Sequence, residues 1–242
     1  MQVVVVNSKL YFHVVNEFLR IRIKKIRIVI ISTNTFNKPV KLLIMNTNLV
    51  EEKQSIKTSW KVDPAHSELF FKIQYLMIST VTGFVTSFDL EVNTSGQNFG
   101  EVTDLYLTAD TKSLSTNHGP RDEHLKSPDF FDVENHPHIK FQATSFEKQG
   151  LTPPSLLSAF RKDYKLHGIL TIKDISRSII LQGEFGGLST DTSGQRRAGF
   201  TVRGKISRKE FGLTWDGITD SGKLILADEV DIVGNIHLIK QA

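Results

Sequence analysis

From Trp60 to the C-terminus, apolar and polar side chains alternate with a period of two. Leu69, Phe71, Ile73 and Tyr75 share one parity opposite Glu68, Lys72 and Gln74, with Phe70 the exception. Phe84, Phe88 and Leu90 share another. Leu105, Leu107 and Ala109 alternate with Asp104, Tyr106 and Thr108, and Ile139 and Phe141 alternate with Lys140 and Gln142. Leu166, Gly168, Leu170 and Ile172 continue the pattern, followed by Phe200, Val202, Gly204 and Ile206. Val230, Ile232, Gly234, Ile236 and Leu238 close the series. Successive side chains on a strand point to opposite faces, so each run predicts a half-buried antiparallel strand.

Turn signals separate the runs. Asn93-Thr94-Ser95-Gly96, Lys173-Asp174, Asp191-Thr192-Ser193-Gly194 and Asp220-Ser221-Gly222 predict hairpin turns or loops. The spacing predicts about eight strands, as in a barrel or sandwich. Gly168, Gly204 and Gly234 fall on inward parities, where glycine lets a sheet bend or another group approach. Two stretches break the period. Arg121 to Ser127 reads as one or two helical turns stopped by Pro128. Ser155 to Phe160 reads as a short helix or a long hairpin excursion.

Strands that are apolar on one face must bring those faces together. A sandwich joins two sheets, whereas a barrel joins one sheet to itself. A barrel of about eight strands either fills with side chains or holds one small ligand. The inward set mixes large phenylalanines with glycine and alanine, and no long helix is available to plug the centre. An elongated apolar cavity is therefore the expectation. Its predicted lining is Leu69, Phe71, Ile73, Tyr75, Phe84, Phe88, Leu105, Leu107, Phe141, Leu166, Leu170, Ile172, Phe200, Val202, Ile206, Val230, Ile232 and Ile236. Phe130 and Phe131 directly follow the short helix, and at least one is expected to cover the cavity.

Composition agrees with an apolar interior. Phenylalanine, which has no polar handle, outnumbers the other aromatics: 16 Phe against 4 Tyr and 2 Trp. The absence of cysteine removes disulfides, thiolate metal sites and cysteine nucleophiles. The net charge of +4 is unevenly spread. Residues 1–44 carry Lys9, Arg20, Arg22, Lys24, Lys25, Arg27, Lys38 and Lys41 against Glu17, so the remainder is acidic on balance. A nucleic-acid partner is not expected, because phosphate binding needs positive charge on the folded binding face.

Residues 1–58 form an atypical basic extension, and residues 59–242 form the domain. The extension contains no apolar run long enough for a secretory signal or a membrane-spanning helix. It reads as a surface-seeking basic segment, as a strand pair, or as sequence outside the natural protein. The last is favoured, because Met45 opens an ordinary polar stretch. Cytoplasmic placement follows as the expectation.

The motifs Trp60-Lys61-Val62-Asp63-Pro64-Ala65-His66-Ser67, Val81-Thr82-Gly83-Phe84, and Arg121-Asp122-Glu123-His124-Leu125-Lys126-Ser127-Pro128-Asp129-Phe130-Phe131-Asp132 occur in this order. Pro137-His138-Ile139-Lys140-Phe141, Gly168-Ile169-Leu170-Thr171-Ile172-Lys173 and Ile206-Ser207-Arg208-Lys209-Glu210-Phe211-Gly212 follow. From about Trp60 onward this ordered set resembles the YceI-like family of polyisoprenoid-binding proteins. The resemblance implies an all-β, lipocalin-like closed antiparallel barrel with a short helix near its mouth. It implies a tunnel holding a long-chain isoprenoid, of polyprenyl phosphate or isoprenoid quinone type, or a similar lipid. It also implies frequent homodimers and export of many members to the periplasm, the alternative to cytoplasmic placement. The family usually has histidine at the position of Tyr75. Apolar burial suffices for such a tail, since one five-carbon unit contributes up to about 4 kcal/mol.

Four polar residues are headgroup candidates: His66, Tyr75, Arg121 and His124. For His66 the competing role is to satisfy groups at a strand entry, and this is favoured. Arg121, Asp122 and His124 either bind at the mouth or hold the helix as a lid. His136-Pro137-His138 has metal-like spacing, but no third ligand is tied to it. Arg208 and Glu210 read as a structural ion pair. No cofactor and no catalytic residue is assigned. The alternatives to a lipid binder are an enzyme using His66, Asp122 and His124 as acid–base groups, and a structural barrel filled by its own phenylalanines.

Overall fold

A computed structural model describes residues 57–96, 102–148, 162–217 and 225–241. Expectations for residues 1–44, for Ser155 to Phe160 and for the Asp220-Ser221-Gly222 turn lie outside the described residues.

The strands are β1 (Lys57–Val62), β2 (Glu68–Tyr75), β3 (Ser79–Val85), β4 (Phe88–Ser95), β5 (Val102–Asp110), β6 (Leu114–Ser115), β7 (His138–Lys148), β8 (Lys162–Ile172), β9 (Ile175–Thr190), β10 (Arg196–Ser207) and β11 (Leu226–Lys240). Six of them join end to end. β2 and β1 both pair along β11, through Asn235↔Glu68 and Val62↔Leu238. β3 pairs β2, while β4 pairs β1. β4 also pairs β5, and β3 pairs β6. Thus β1–β2, β3–β4 and β5–β6 are three long bent strands. With β7 to β11 they make an eight-stranded antiparallel meander, closed where β11 meets β1 and β2. β1 begins at Lys57, two residues before the expected domain start.

Local sequence explains most strands. β8 buries Leu166, Leu170 and Ile172 at alternate positions, as the period requires. Lys173 and Asp174 join β8 to β9 in a two-residue turn with φ of 50° and 61°, which matches the twist of antiparallel strands. Asp191 caps the β9–β10 turn by accepting the Ser193 and Gln195 N–H groups. Of the predicted turn at Asn93 to Gly96, Asn93 to Ser95 instead end β4, and Gly96, with φ of 77°, lies in a turn. Pairing with both β1 and β5 holds these polar residues extended.

The helix α1 (Gly119–Lys126) follows the short β6 in the chain and is joined to β7 by a loop. The interior divides into two regions. One end is packed solid by Trp60, Val62, Leu90, Val92, Ala198, Ile236 and Leu238, with Phe185, Leu188 and Phe200 against them. The Trp60 indole N–H donates to the Thr94 hydroxyl there at 3.0 Å. The other region includes Leu114, Phe130, Phe131, Phe141, Leu166, Leu170, Ile172, Leu181 and Phe211, and it surrounds a void.

Candidate functional site

The void is a cavity of about 580 Å³, within the range of small-molecule sites. Leu69, Phe71, Ile73 and Tyr75 of β2 line it, with Leu105 and Leu107 of β5 and Phe141 of β7. Leu166, Leu170 and Ile172 of β8, Val202 and Ile206 of β10, and Val230, Ile232 and Ile236 of β11 complete the predicted strand set. Phe130 and Phe131 also line it, and both are buried.

Glycines help keep this space open. A methyl group built on Gly168 would lie 2.2 Å from the Phe141 ring, and one on Gly83 would lie 2.2 Å from the Phe71 ring. Each ring therefore lies over the bare backbone of the adjacent strand. Two inward phenylalanines run along the wall instead of filling the axis.

Three predicted lining residues do not face the cavity. Phe84 lies on the outer face, paired with Phe70 at 6.0 Å between ring centroids. The parity shared with Phe88 and Leu90 crosses the Thr86-Ser87 connection, where β3 ends and β4 begins. Inward parity in β3 belongs to Val81, Gly83 and Val85, whose strand partners are Ile73, Phe71 and Leu69. Phe88 packs against both buried clusters at the bend. Phe200 belongs to the solid end, 4.9 Å from Phe185. The sequence reading also missed Val81, Val85, Ala109, Leu114, Leu181 and Trp215 as lining residues. Of these, Ala109 was legible from its alternation with Thr108. Trp215 lies in a loop, where period carries no information.

The exposed lining residues are Tyr75, His118, Pro120 and Arg121, so the cavity opens beside α1. The rim can be followed through its contacts. Leu76 N–H donates to the Ile225 carbonyl at 2.7 Å, and Ile225 N–H donates to the Gly217 carbonyl at 2.9 Å. Trp215 meets His124 edge-on at 5.1 Å, and His124 meets Phe130 edge-on at 5.0 Å. The His124 Nε2 lies 3.0 Å from the Asp129 carboxylate. Arg121 donates from Nε to the Thr116 hydroxyl at 2.7 Å and from Nη2 to the Thr116 carbonyl at 3.0 Å.

Asp122 fastens α1 to β6. Its carboxylate accepts from the Thr116 N–H at 2.7 Å, the Ser115 hydroxyl at 2.8 Å and the Thr116 hydroxyl. Burial alone would raise its pKa, but the Thr116 and Ser115 hydrogen bonds hold it below the usual carboxylate range.

Arg208 also lines the cavity and is 2% exposed. The expected Arg208–Glu210 pair is replaced by Arg208–Asp216, because the guanidinium reaches the loop after β10. It donates to the Ala227, Leu213 and Trp215 carbonyls and so fixes that loop across the cavity. Among the described residues, the charged side chains of the lining are Arg121 and Arg208, and no carboxylate contributes.

His66 lies outside the cavity. It stands in the bend between β1 and β2, with Nδ1 2.8 Å from the buried Asp63 carboxylate. Asp63 also accepts from Ala65 N–H and from Arg197. Burial opposes ionisation of Asp63, but the His66, Arg197 and Ala65 hydrogen bonds bring its pKa below the usual range. The proposed acid–base trio is thus not assembled: His66 meets Asp63, Asp122 meets Ser115 and Thr116, and His124 meets Asp129. His136 faces Asp174 at 2.9 Å and Asp132 at 4.0 Å. Among the described residues, no group of three or more His, Asp or Glu side chains forms a metal site.

Comparisons with known proteins agree with this architecture. The profile of the YceI-like domain matches residues 60–238. A UPF0312 protein of Photorhabdus laumondii is 32% identical over 170 residues, covering 69% of this chain and 82% of the relative. Protein YceI of Salmonella newport is 29% identical over 189 residues, covering 77% and 90%. The crystal structure of the Campylobacter jejuni YceI protein aligns with a TM-score of 0.56 at 26% identity, covering 71% and 91%. A polyisoprenoid binding domain from Saccharophagus degradans shares the fold, with a TM-score of 0.52 at 13% identity, covering 75% and 98%. An eight-stranded barrel bearing these motifs in order, matched over most of its length, belongs to the YceI-like family.

Proposed function

We propose that this protein binds and carries a long-chain apolar lipid, an isoprenoid of polyprenyl phosphate or quinone type, in the barrel cavity. The observation that carries this reading is the apolar cavity of about 580 Å³, closed at one end and open beside α1. The polyisoprenoid binding domain from Saccharophagus degradans, which shares the fold, supports the choice of isoprenoid. Burial of the chain supplies affinity in proportion to the apolar area removed from water. The head lies at the rim, among Arg121, His118, His124 and Tyr75. Arg121 spends Nε and one Nη2 hydrogen on Thr116, and no hydrogen bond among the described residues uses Nη1. Arg121 at the rim, with no carboxylate among the described lining residues, suits an anionic head, and a charge-assisted bond at Nη1 supplies its recognition.

Organic extraction of the purified protein followed by mass spectrometry tests the reading. A long-chain lipid near one equivalent is expected, and an empty cavity overturns it. The head is tested by Arg121→Met. For a polyprenyl phosphate, affinity falls roughly tenfold to hundredfold, the worth of a hydrogen bond to a charged group. For a quinone the same substitution has little effect.

A further inference from the structure

The β2–β3 turn departs from the usual chemistry of an exposed turn. Leu76 and Met77 have φ of 51° and 60°, the region that glycine, asparagine and aspartate tolerate best. Apolar side chains stand there instead, with Met77 59% and Ile78 84% exposed. For Met77 and Ile78 neither burial nor turn propensity accounts for the apolar side chain, and local departures of this kind concentrate at functional sites.

The charge pattern of the hairpin is also distinct. Charged residues make up 23% of the chain, yet Lys72 is the only one between Leu69 and Phe88. Within the hairpin, the polar side chains that flank the tip in sequence are neutral: Gln74, Ser79 and Thr80. Tyr75 stands at the base of the turn, and the Lys72 ammonium lies 5.7 Å from the centre of the Phe70 ring. An apolar tip, a tyrosine behind it, neutral hydroxyls and one long cationic side chain match the layering of a membrane interface. A stable protein interface buries about 800 Å² per partner, more than a three-residue turn presents.

The tip adjoins the cavity. Tyr75 and Ile225 both line it, and the Leu76 N–H is bonded to the Ile225 carbonyl. The tip therefore stands directly beside the rim, next in the chain to the cavity-lining Tyr75.

We infer that the Leu76-Met77-Ile78 tip inserts into the surface of a lipid bilayer and sets the cavity mouth against it. A chain then moves between bilayer and barrel without exposing its methylenes to water. The transfer step rests on the lipid-binding reading of the cavity, whereas the docking surface stands on the turn and its charge pattern.

Flotation of the full chain with phosphatidylcholine vesicles tests the inference. High salt suppresses attraction through the basic residues 1–44. The wild type is expected to float. The double variant Met77→Asp/Ile78→Asp should partition roughly tenfold less or weaker still. Both side chains are exposed, so its thermal melt should be unchanged. Ile78→Ser alone is the milder second variant, with a smaller loss expected. A wild type that stays with the soluble fraction overturns the inference, as does equal flotation of wild type and both variants. A concentration-dependent dimer that the variants abolish, without flotation, also overturns it and assigns the tip to a second copy. Lipid extraction from the wild type reports on the cavity separately. Flotation without cargo sinks the cavity reading alone, and cargo without flotation sinks the docking surface alone.

Discussion

Gly168 determines where the Phe141 ring lies. With hydrogen as its side chain, the ring rests on the neighbouring backbone; any larger group at that position pushes it toward the axis. Gly168→Ala should therefore destabilise the barrel by about 1–3 kcal/mol, the usual cost of overpacking. It should also lower the lipid recovered per mole of protein. Urea unfolding and quantitative extraction measure the two effects; adding Phe141→Leu should restore the lipid recovered but only part of the stability, because the Gln142 carbonyl would still lie 2.7 Å from the added methyl group. Gly168 was legible as an inward glycine because its strand alternates cleanly. Gly83 was not, because its neighbours Thr82 and Phe84 gave no clear parity. Phe84 was assigned to the wrong face because its parity was carried over from Phe88 and Leu90 across the Thr86-Ser87 connection.

At the scale of elements, α1 has little apolar character of its own and buries no residue. Its attachment combines Leu125 packed on the core with polar ties, through Asp122 to Ser115 and Thr116 and through Arg121 to Thr116. Asp122→Ala removes three hydrogen bonds to the carboxylate. Their loss should cost about 2–3 kcal/mol at neutral pH, with each bond worth about 0.5–1.5 kcal/mol. Hydrogen exchange should show α1 and the segment to β7 opening more readily, while β8 to β10 keep their protection. The sequence indicated a short helix from Arg121 to Ser127 and left its role open between binding and anchoring. In the structure Asp122 and Arg121 both anchor the helix, through Ser115 and Thr116, and Arg121 and His124 also stand at the rim. The partners Ser115 and Thr116 lie just before the helix, yet nothing in their spacing distinguishes an anchor from an ordinary loop.

For the whole molecule, the closed end and the anchors predict its response to acid. Asp63 and Asp122 both have folded-state pKa values below the ordinary 3.8. The unfolded chain therefore takes up protons first as pH falls through that value, and stability is lost as pH drops further toward the folded values. The contribution is fully present well above pH 3.8. Thermal melts should be nearly level, as far as these groups determine them, between about pH 5 and 7 and fall steeply below about pH 4. Asp122→Ala should flatten part of that fall. A variant as acid-sensitive as the wild type would remove Asp122 from the account.

Period-two alternation is local, because side chains on a strand face opposite sides whatever lies beyond them. The sequence alone therefore determined the strands and most of their inward residues; the alternation left barrel and sandwich open, and the resemblance carried by the ordered motifs pointed to the barrel. Closure and volume are long-range properties. Only the tertiary structure paired β1 with both β4 and β11, packed Phe200 into a solid end, and laid Phe71 and Phe141 over glycines on neighbouring strands. Whether inward phenylalanines fill a barrel or line it depends on contacts between strands, and no periodicity along one strand records them.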